Sequence, residues 1–429
     1  MSNNSLNNAF LAILAFVVVL LVFPILGNMP LQAEESQMLG LIRSVRVSGI
    51  DDVMQECYGG VAYGMYCYIA RLLINLDLFS PVYALRLPGA CITLILTLSL
   101  YSFVRGFDRA SAAFLASLMF FACGWVMSFT FITTPALLPA AVLIGALVAQ
   151  YKWIVNRTRA SYAVMCLAMG LIVVVIGMGV LLFTSLVGCI YVILQLRRTK
   201  TVAQFLAKYL LAIPVSLAVA FVAEYFAVGD IDVVHGMLGI DQLAERFVVG
   251  KANGFGTFIS FALFSIFPLS VPLALSAFWV ARHPKRFLVS FHSQPWITRY
   301  GIIISVVALP TLFFAESTTV IFLYATIFFN ILLISRYLMM QFNSNAVVWR
   351  VSGASCAFII LLALPCVYFY FNPKFTAWAI TLCVLIIMNI YYLWKNKRDI
   401  SENHRYLYNL ITLYLLASSL FYGYIRPLI

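Results

Sequence analysis

Charge is what this sequence has least of. Only 10% of its 429 residues are charged, while 64% are hydrophobic and the mean hydropathy is +1.00. So little charge cannot cover the apolar surface that a soluble chain of this length would expose. A soluble globular fold is excluded, and an all-α polytopic membrane protein is implied. Histidine is scarce as well. His235, His283, His292 and His404 stand far apart without ligand spacing, so no metal cluster and no cofactor is evident. Gly/Ser linkers and low-complexity tracts are missing, so residues 1–429 read as a single integral membrane domain with no soluble domain at either end. The first apolar run, Phe10–Leu26, has neither a basic leader nor a small-residue cleavage site, which makes it an uncleaved spanning helix rather than a signal peptide.

Two further absences bear on function. Ionisable residues hardly occur in the middle of the apolar runs, since Glu224 and Glu316 lie close to run ends, and the halves show no duplication. Both weaken the alternative of a transporter or flippase of amphipathic lipids or glycans, whose coupling charges sit near the bilayer midplane. The nine cysteines fall mostly inside apolar runs as small packing residues. Cys57 and Cys67 lie instead in a polar stretch, where a disulfide and two unpaired buried thiols are equally compatible with the sequence.

What is present is a series of apolar runs, about 13 spans by hydropathy windows. They fall at 10–27, 87–105, 111–129, 132–151, 161–176, 177–195, 208–228, 255–281, 301–315, 319–335, 351–371, 376–394 and 406–425. With the N-terminus inside, the inner connections collect Arg105, Arg109, Lys152, Arg157, Arg159, Arg197, Arg198, Lys285, Arg286, Arg299, Arg350, Lys395 and Lys397. Most acids fall on the other side. The net charge of +12 is therefore a topology signal and not a nucleic-acid footprint. The placement expected is an integral protein of a bacterial inner membrane, its outer loops in the periplasm. Arg43, Arg46, Arg71 and Arg86 break the charge rule in the first outer loop, as an anionic partner there would explain.

Two outer segments are long and polar. In the first, residues 28–86, Met38, Leu41, Ile42 and Val45 recur at helical spacing, predicting an amphipathic helix over 33–47. A second, tyrosine-rich helix is predicted near 63–76, lying in the membrane interface. The other outer segment, 229–253, carries Asp230, Asp232, Asp241, Glu245, Arg246 and Lys251. The first loop opens with the adjacent acids Glu34 and Glu35, at the lip of the membrane. Two neighbouring carboxylates there are costly to hold, which favours a chemical role. The plain alternative is a pair of surface acids complementing the dipole of a helix start.

These stretches resemble the GT-C superfamily of lipid-dependent glycosyltransferases, especially the bacterial aminoarabinose transferases and the protein O-mannosyltransferases. Ala33–Met38 followed by LGLIRSVRVSG is similar to the family's Asp-Glu pair opening an amphipathic helix. Leu78–Gly89, with Arg86-Leu87-Pro88, is similar to the Arg-Leu-Pro segment entering the second span. Ile240–Phe247, followed by GFGTFISFALFSIFPLS, resembles the family's outer-loop Arg-Phe/Tyr and the span after it. The chain departs from the pattern at three places. Tyr63-Gly64-Met65 stands where a Lys-Pro-Pro motif is common, Thr133-Thr134-Pro135 where many members carry an acid, and Pro268-Leu269 for Pro-Trp.

The resemblance implies a glycosyltransferase moving a sugar from a polyprenyl-phosphate donor to a lipid, glycan or protein acceptor. Glu34 and Glu35 would be the catalytic carboxylates, one acting as general base in an inverting displacement. Arg246 and Lys251 would meet the departing phosphate. Arg246 could instead pair with Glu245 or Asp241, and Lys251 could snorkel to the interface. Arg86 would either touch ligand or cap the entrance to its span, and Tyr63 would belong either to the sugar site or to an interfacial belt.

Overall fold

In the computed structural model, the described residues are 3–24, 26–27, 31–44, 61–133, 136–195, 199–228, 296–314 and 319–341, with isolated positions between 282 and 391. Among them every regular element is an α-helix. These are α1 (Asn3–Val22), α2 (Ala33–Ser44), α3 (Val61–Asn75), α4 (Pro81–Arg105), α5 (Ala110–Ala122), α6 (Gly124–Phe131), α7 (Leu137–Asn156), α8 (Arg159–Ile176), α9 (Met178–Gln195), α10 (Thr199–Val228), α11 (Trp296–Phe314) and α12 (Thr319–Gln341). Helices α4, α7, α8 and most of α10 are each long and apolar enough to cross a bilayer, and α5 with α6 forms an apolar pair bent by 58°. The chain is an integral membrane protein. The expected spans at 255–281, 351–371 and 406–425, the whole 229–253 segment and all but four isolated positions of 376–394 lie outside the described residues.

The long helices pack side by side, and α8 and α10 run parallel, as the contacts of Tyr162 with Lys208 and of Ser216 with Cys166 show. The closest pairings are α8 with α10, α11 with α12, α7 with α8, and α4 with α5. Turn chemistry sets the reversals. Ser80 caps α4 by accepting the Tyr83 N–H at 3.3 Å, with Pro81 at the helix start, where its missing N–H costs nothing. Thr158 caps α8 in the same way through Ser161 N at 3.2 Å. Between α8 and α9 the chain turns at Gly177 with φ 110°, a backbone that L side chains resist.

At one end of the bundle Arg105 binds Asn7 Oδ1 at 2.7 Å and Arg299 binds Gln195 Oε1 at 3.0 Å, joining α4 to α1 and α11 to α9. Lys152, Arg157 and Arg159 belong to this basic end. Deeper inside, Gln150 is 1% exposed and fully engaged. Its amide donates to the Thr184 carbonyl at 2.8 Å and to the Tyr209 hydroxyl, and its carbonyl accepts from Tyr300. This ties α7, α9, α10 and α11 together, as a buried amide in lipid must be satisfied from neighbouring helices.

The other end is built differently. Helices α2 (12 residues, and polar) and α3 (15 residues) are too short to span. They cover the end of α4 with a small separate core of Met38, Leu39, Ile42, Tyr66, Cys67, Ala70 and Leu85. The buried stripe of α2 is thus Glu35, Met38, Leu39 and Ile42. The sequence pattern placed Leu41 on that face, but Leu41 is exposed, and Val45 lies outside the described residues. The correction has a cause: Glu35 itself lies on the inward face, and helical spacing from it selects Met38, Leu39 and Ile42. The predicted 111–129 span is also corrected. Cys123 has an extended backbone (φ −61°, ψ 127°), and the halves on either side of it meet at 58°.

Candidate functional site

Four segments meet at Arg86, which is 2% exposed inside the first turns of α4. Its Nε donates to Glu35 Oε1 at 2.8 Å and its Nη2 to Glu35 Oε2 at 2.6 Å, the paired geometry in which a guanidinium fork matches a carboxylate. Its Nη1 donates to the Leu26 carbonyl at 2.9 Å, just past the end of α1. Glu35 accepts two more bonds from backbone. Gln32 N–H reaches Oε2 at 3.0 Å, and Thr133 N–H reaches Oε1 at 2.8 Å. The first of these is half of a capping box, in which an acid in the first turn bonds back to the residue before its helix. The second comes from the strand of chain that leaves α6.

Each carboxylate oxygen of Glu35 therefore holds two donors. Burial pushes this carboxyl upward, but the hydrogen bonds from Arg86, Thr133 and Gln32 and the Arg86 charge outweigh it, and the net shift is below the usual carboxylate range. A carboxylate held this way stays ionised and has little capacity left to accept a proton. What it can do is fix the start of α2 against α1, α4 and the chain leaving α6.

Tyr66 lies next to this pair. It is 1% exposed, and its hydroxyl donates to the Leu85 carbonyl at 3.0 Å. Pro88 inside α4 has no N–H for the Ala84 carbonyl four residues earlier, and the Tyr66 hydroxyl from α3 binds the next carbonyl along. Burial, and behind it the Glu35 charge, hold the Tyr66 phenol above its ordinary range.

Of the residues singled out in the sequence, Arg86 and Glu35 are brought together. Glu34 lies in the first turn of α2 and Tyr63 in that of α3; the side chains of both are outside the described residues. Arg246 and Lys251 are outside them altogether, as is Cys57, while Cys67 is buried in the small core. Sequence reasoning missed Gln32, Leu26 and Thr133, which contribute only backbone groups to the clamp. The three-residue spacing of Gln32 and Glu35 was a legible signal; nothing in the sequence marked the amide of Thr133. Among the described residues no three His, Cys, Asp or Glu side chains come together as a metal site.

No family model matches the chain, and no curated protein matches it. Solved structures do. The fold is similar to that of ArnT from Cupriavidus metallidurans bound to undecaprenyl phosphate, with a TM-score of 0.68 at 14% identity. The alignment covers 97% of this chain and 76% of that one. The apo state of the same protein aligns with a TM-score of 0.65 at 15% identity, with the same coverage of both chains. The chain has an ArnT-like membrane fold.

Proposed function

We propose that this protein is a membrane glycosyltransferase that takes a sugar from an undecaprenyl-phosphate-linked donor and passes it to a lipid, glycan or protein acceptor. The observation that carries this reading is the fold shared along 97% of the chain with a structure holding undecaprenyl phosphate. The clamped acid pair gives that fold a site. The Glu35 end of the bundle faces the periplasm of a bacterial inner membrane, as the basic residues at the opposite end favour.

In the reaction, an acceptor oxygen attacks the anomeric carbon of the donor sugar. The bond from that carbon to the phosphate oxygen breaks on the opposite face, so the configuration inverts. Glu34 takes the acceptor proton, and undecaprenyl phosphate leaves with the electron pair. Arg246 and Lys251 stabilise the charge that grows on the leaving phosphate, and Tyr63 lies beside the sugar. Glu35 and Arg86 have a different task. Because the Arg86 guanidinium neutralises Glu35, Glu34 does not work against a bare adjacent carboxylate, and because Glu35 is fixed by four donors, the helix start that carries Glu34 is fixed too.

The test has two parts. Mass spectrometry of the cell envelope with and without the chain should show one glycosyl mass lost, which names both sugar and acceptor. In the purified protein, Glu34→Gln keeps size and hydrogen bonding but removes the proton acceptor, and should slow transfer by about 10²–10⁴. Transfer at the parental rate would remove Glu34 from the mechanism.

A further inference from the structure

The break between α5 and α6 leaves α6 as a half-helix of eight residues inside an apolar bundle. Something must hold it in place, because the chain leaving it supplies the Thr133 N–H to Glu35. The sequence continues from α5 only through the extended Cys123, so the direction of α6 is not inherited from α5.

One polar contact joins α6 to the helix that carries Arg86. Thr93 of α4 and Thr130 of α6 approach with their hydroxyl oxygens 2.9 Å apart, at 0% and 1% exposure. Thr130 also donates to the Val126 carbonyl at 2.6 Å, so its proton is committed within α6. The bridge is then made by the Thr93 proton, which can turn from the Gly89 carbonyl 3.1 Å away. Thr130 and Phe131 are the last two positions of α6 and Ile132 alone separates that helix from Thr133, so fixing Thr130 constrains the amide three positions on. Gly89 leaves room beside the bridge for the Tyr66 hydroxyl of α3, which a Cβ there would meet at 3.3 Å.

We infer that the Thr93–Thr130 hydroxyl bridge is a positioning device for the acid pair, locking the half-helix α6 so that the Thr133 N–H stays on Glu35. The two threonines touch neither substrate nor reacting atoms. They act through α6, then Thr133, then Glu35, and finally the helix start that carries Glu34. The catalytic part of this inference rests on the proposed glycosyltransferase reading; the mechanical part does not.

Thr93→Val and Thr130→Val keep shape and remove the hydroxyl, while Thr130→Ser keeps it. In the full chain in lipid nanodiscs, hydrogen exchange of peptides covering 124–136 reads the mechanical step. Both valine variants should speed exchange of the Thr133 amide, about three- to thirty-fold for the loss of one interhelical bond in lipid, and the double variant should add little. Thr130→Ser should exchange like the parent. Freeing Glu35 from one donor should also move the acid limb of the activity profile to higher pH in the valine variants only, a shift that general destabilisation would not produce. Unchanged Thr133 exchange in both valine variants would overturn the inference, whatever the activity. If the parent transfers no sugar while exchange still rises in the valine variants, the bridge stands as the anchor of α6 and the glycosyltransferase reading falls.

Discussion

Removing one partner from the Arg86–Glu35 pair should damage this protein far more than removing both. Arg86→Ala leaves the Glu35 carboxylate buried with only the Gln32 and Thr133 amides as donors, and also frees the Leu26 carbonyl. Breaking a buried pair from one side typically costs about 3–5 kcal/mol, because the remaining charge is not compensated. That corresponds to a fall in melting temperature on the order of 10 °C for a large single domain. The double variant Glu35→Leu/Arg86→Met removes both charges and keeps apolar volume, and such replacements are often neutral or better. Here it strands two backbone N–H groups and one carbonyl, so its stability should fall between the parent and Arg86→Ala. Thermal unfolding in nanodiscs, followed by tryptophan fluorescence, gives the four corners of a double-mutant cycle. The expected coupling is at least about 2 kcal/mol. Additive effects, or an Arg86→Ala variant as stable as the parent, would refute the view that this pair holds four segments together.

The pH dependence follows from the same pair. The Glu35 carboxyl lies below its unfolded value, so the stability it contributes is present above the ordinary carboxylate range and is lost as pH falls through the lower folded value. Acid titration of unfolding should show this loss in the parent and not in the double variant. Tyr66→Phe removes the donor to the Leu85 carbonyl and should cost about 1–2 kcal/mol of stability with no change in the pH profile, checked by the same melting assay. Gly170→Ala should destabilise by about 1–3 kcal/mol, because the new methyl would sit 2.8 Å from Val219 Cγ1 and 3.0 Å from the Ser216 carbonyl of α10. Cysteine labelling in intact cells should reach position 51 from outside and not position 397; labelling at 397 would invert the topology.

The sequence was most legible where one physical pattern dominated. Apolar runs located α1, α4 and the helices from α7 to α12. Amphipathic spacing found α2, and a short tyrosine-rich run found α3, but the spacing put Leu41 on the buried face of α2, where Leu39 stands instead. Glu35 points inward, since Arg86, fifty-one positions away in sequence, offsets its charge. No local pattern can contain that fact. The break at Cys123 was hidden for a related reason. Apolar residues on both sides satisfy a hydropathy window equally well whether the helix continues or bends, and the bend is held by contacts from other helices.

The same limit separates the two acids of the pair. On sequence alone Glu34 and Glu35 are equivalent carboxylates, and both were candidate catalysts. The fold gives Glu35 four donors and a depressed proton affinity. A residue saturated in this way supports a site, and the proposed mechanism gives the proton transfer to its neighbour. Exchanging the acids for amides one at a time should therefore produce two different defects. Glu34→Gln should fold and melt like the parent while losing turnover. Glu35→Gln presents an amide NH₂ to a set made entirely of donors, so it should lose stability first and turnover as a consequence. Equal melting temperatures for the two variants would mean that the clamp does not discriminate between them, and the division of labour proposed for the pair would have to be abandoned.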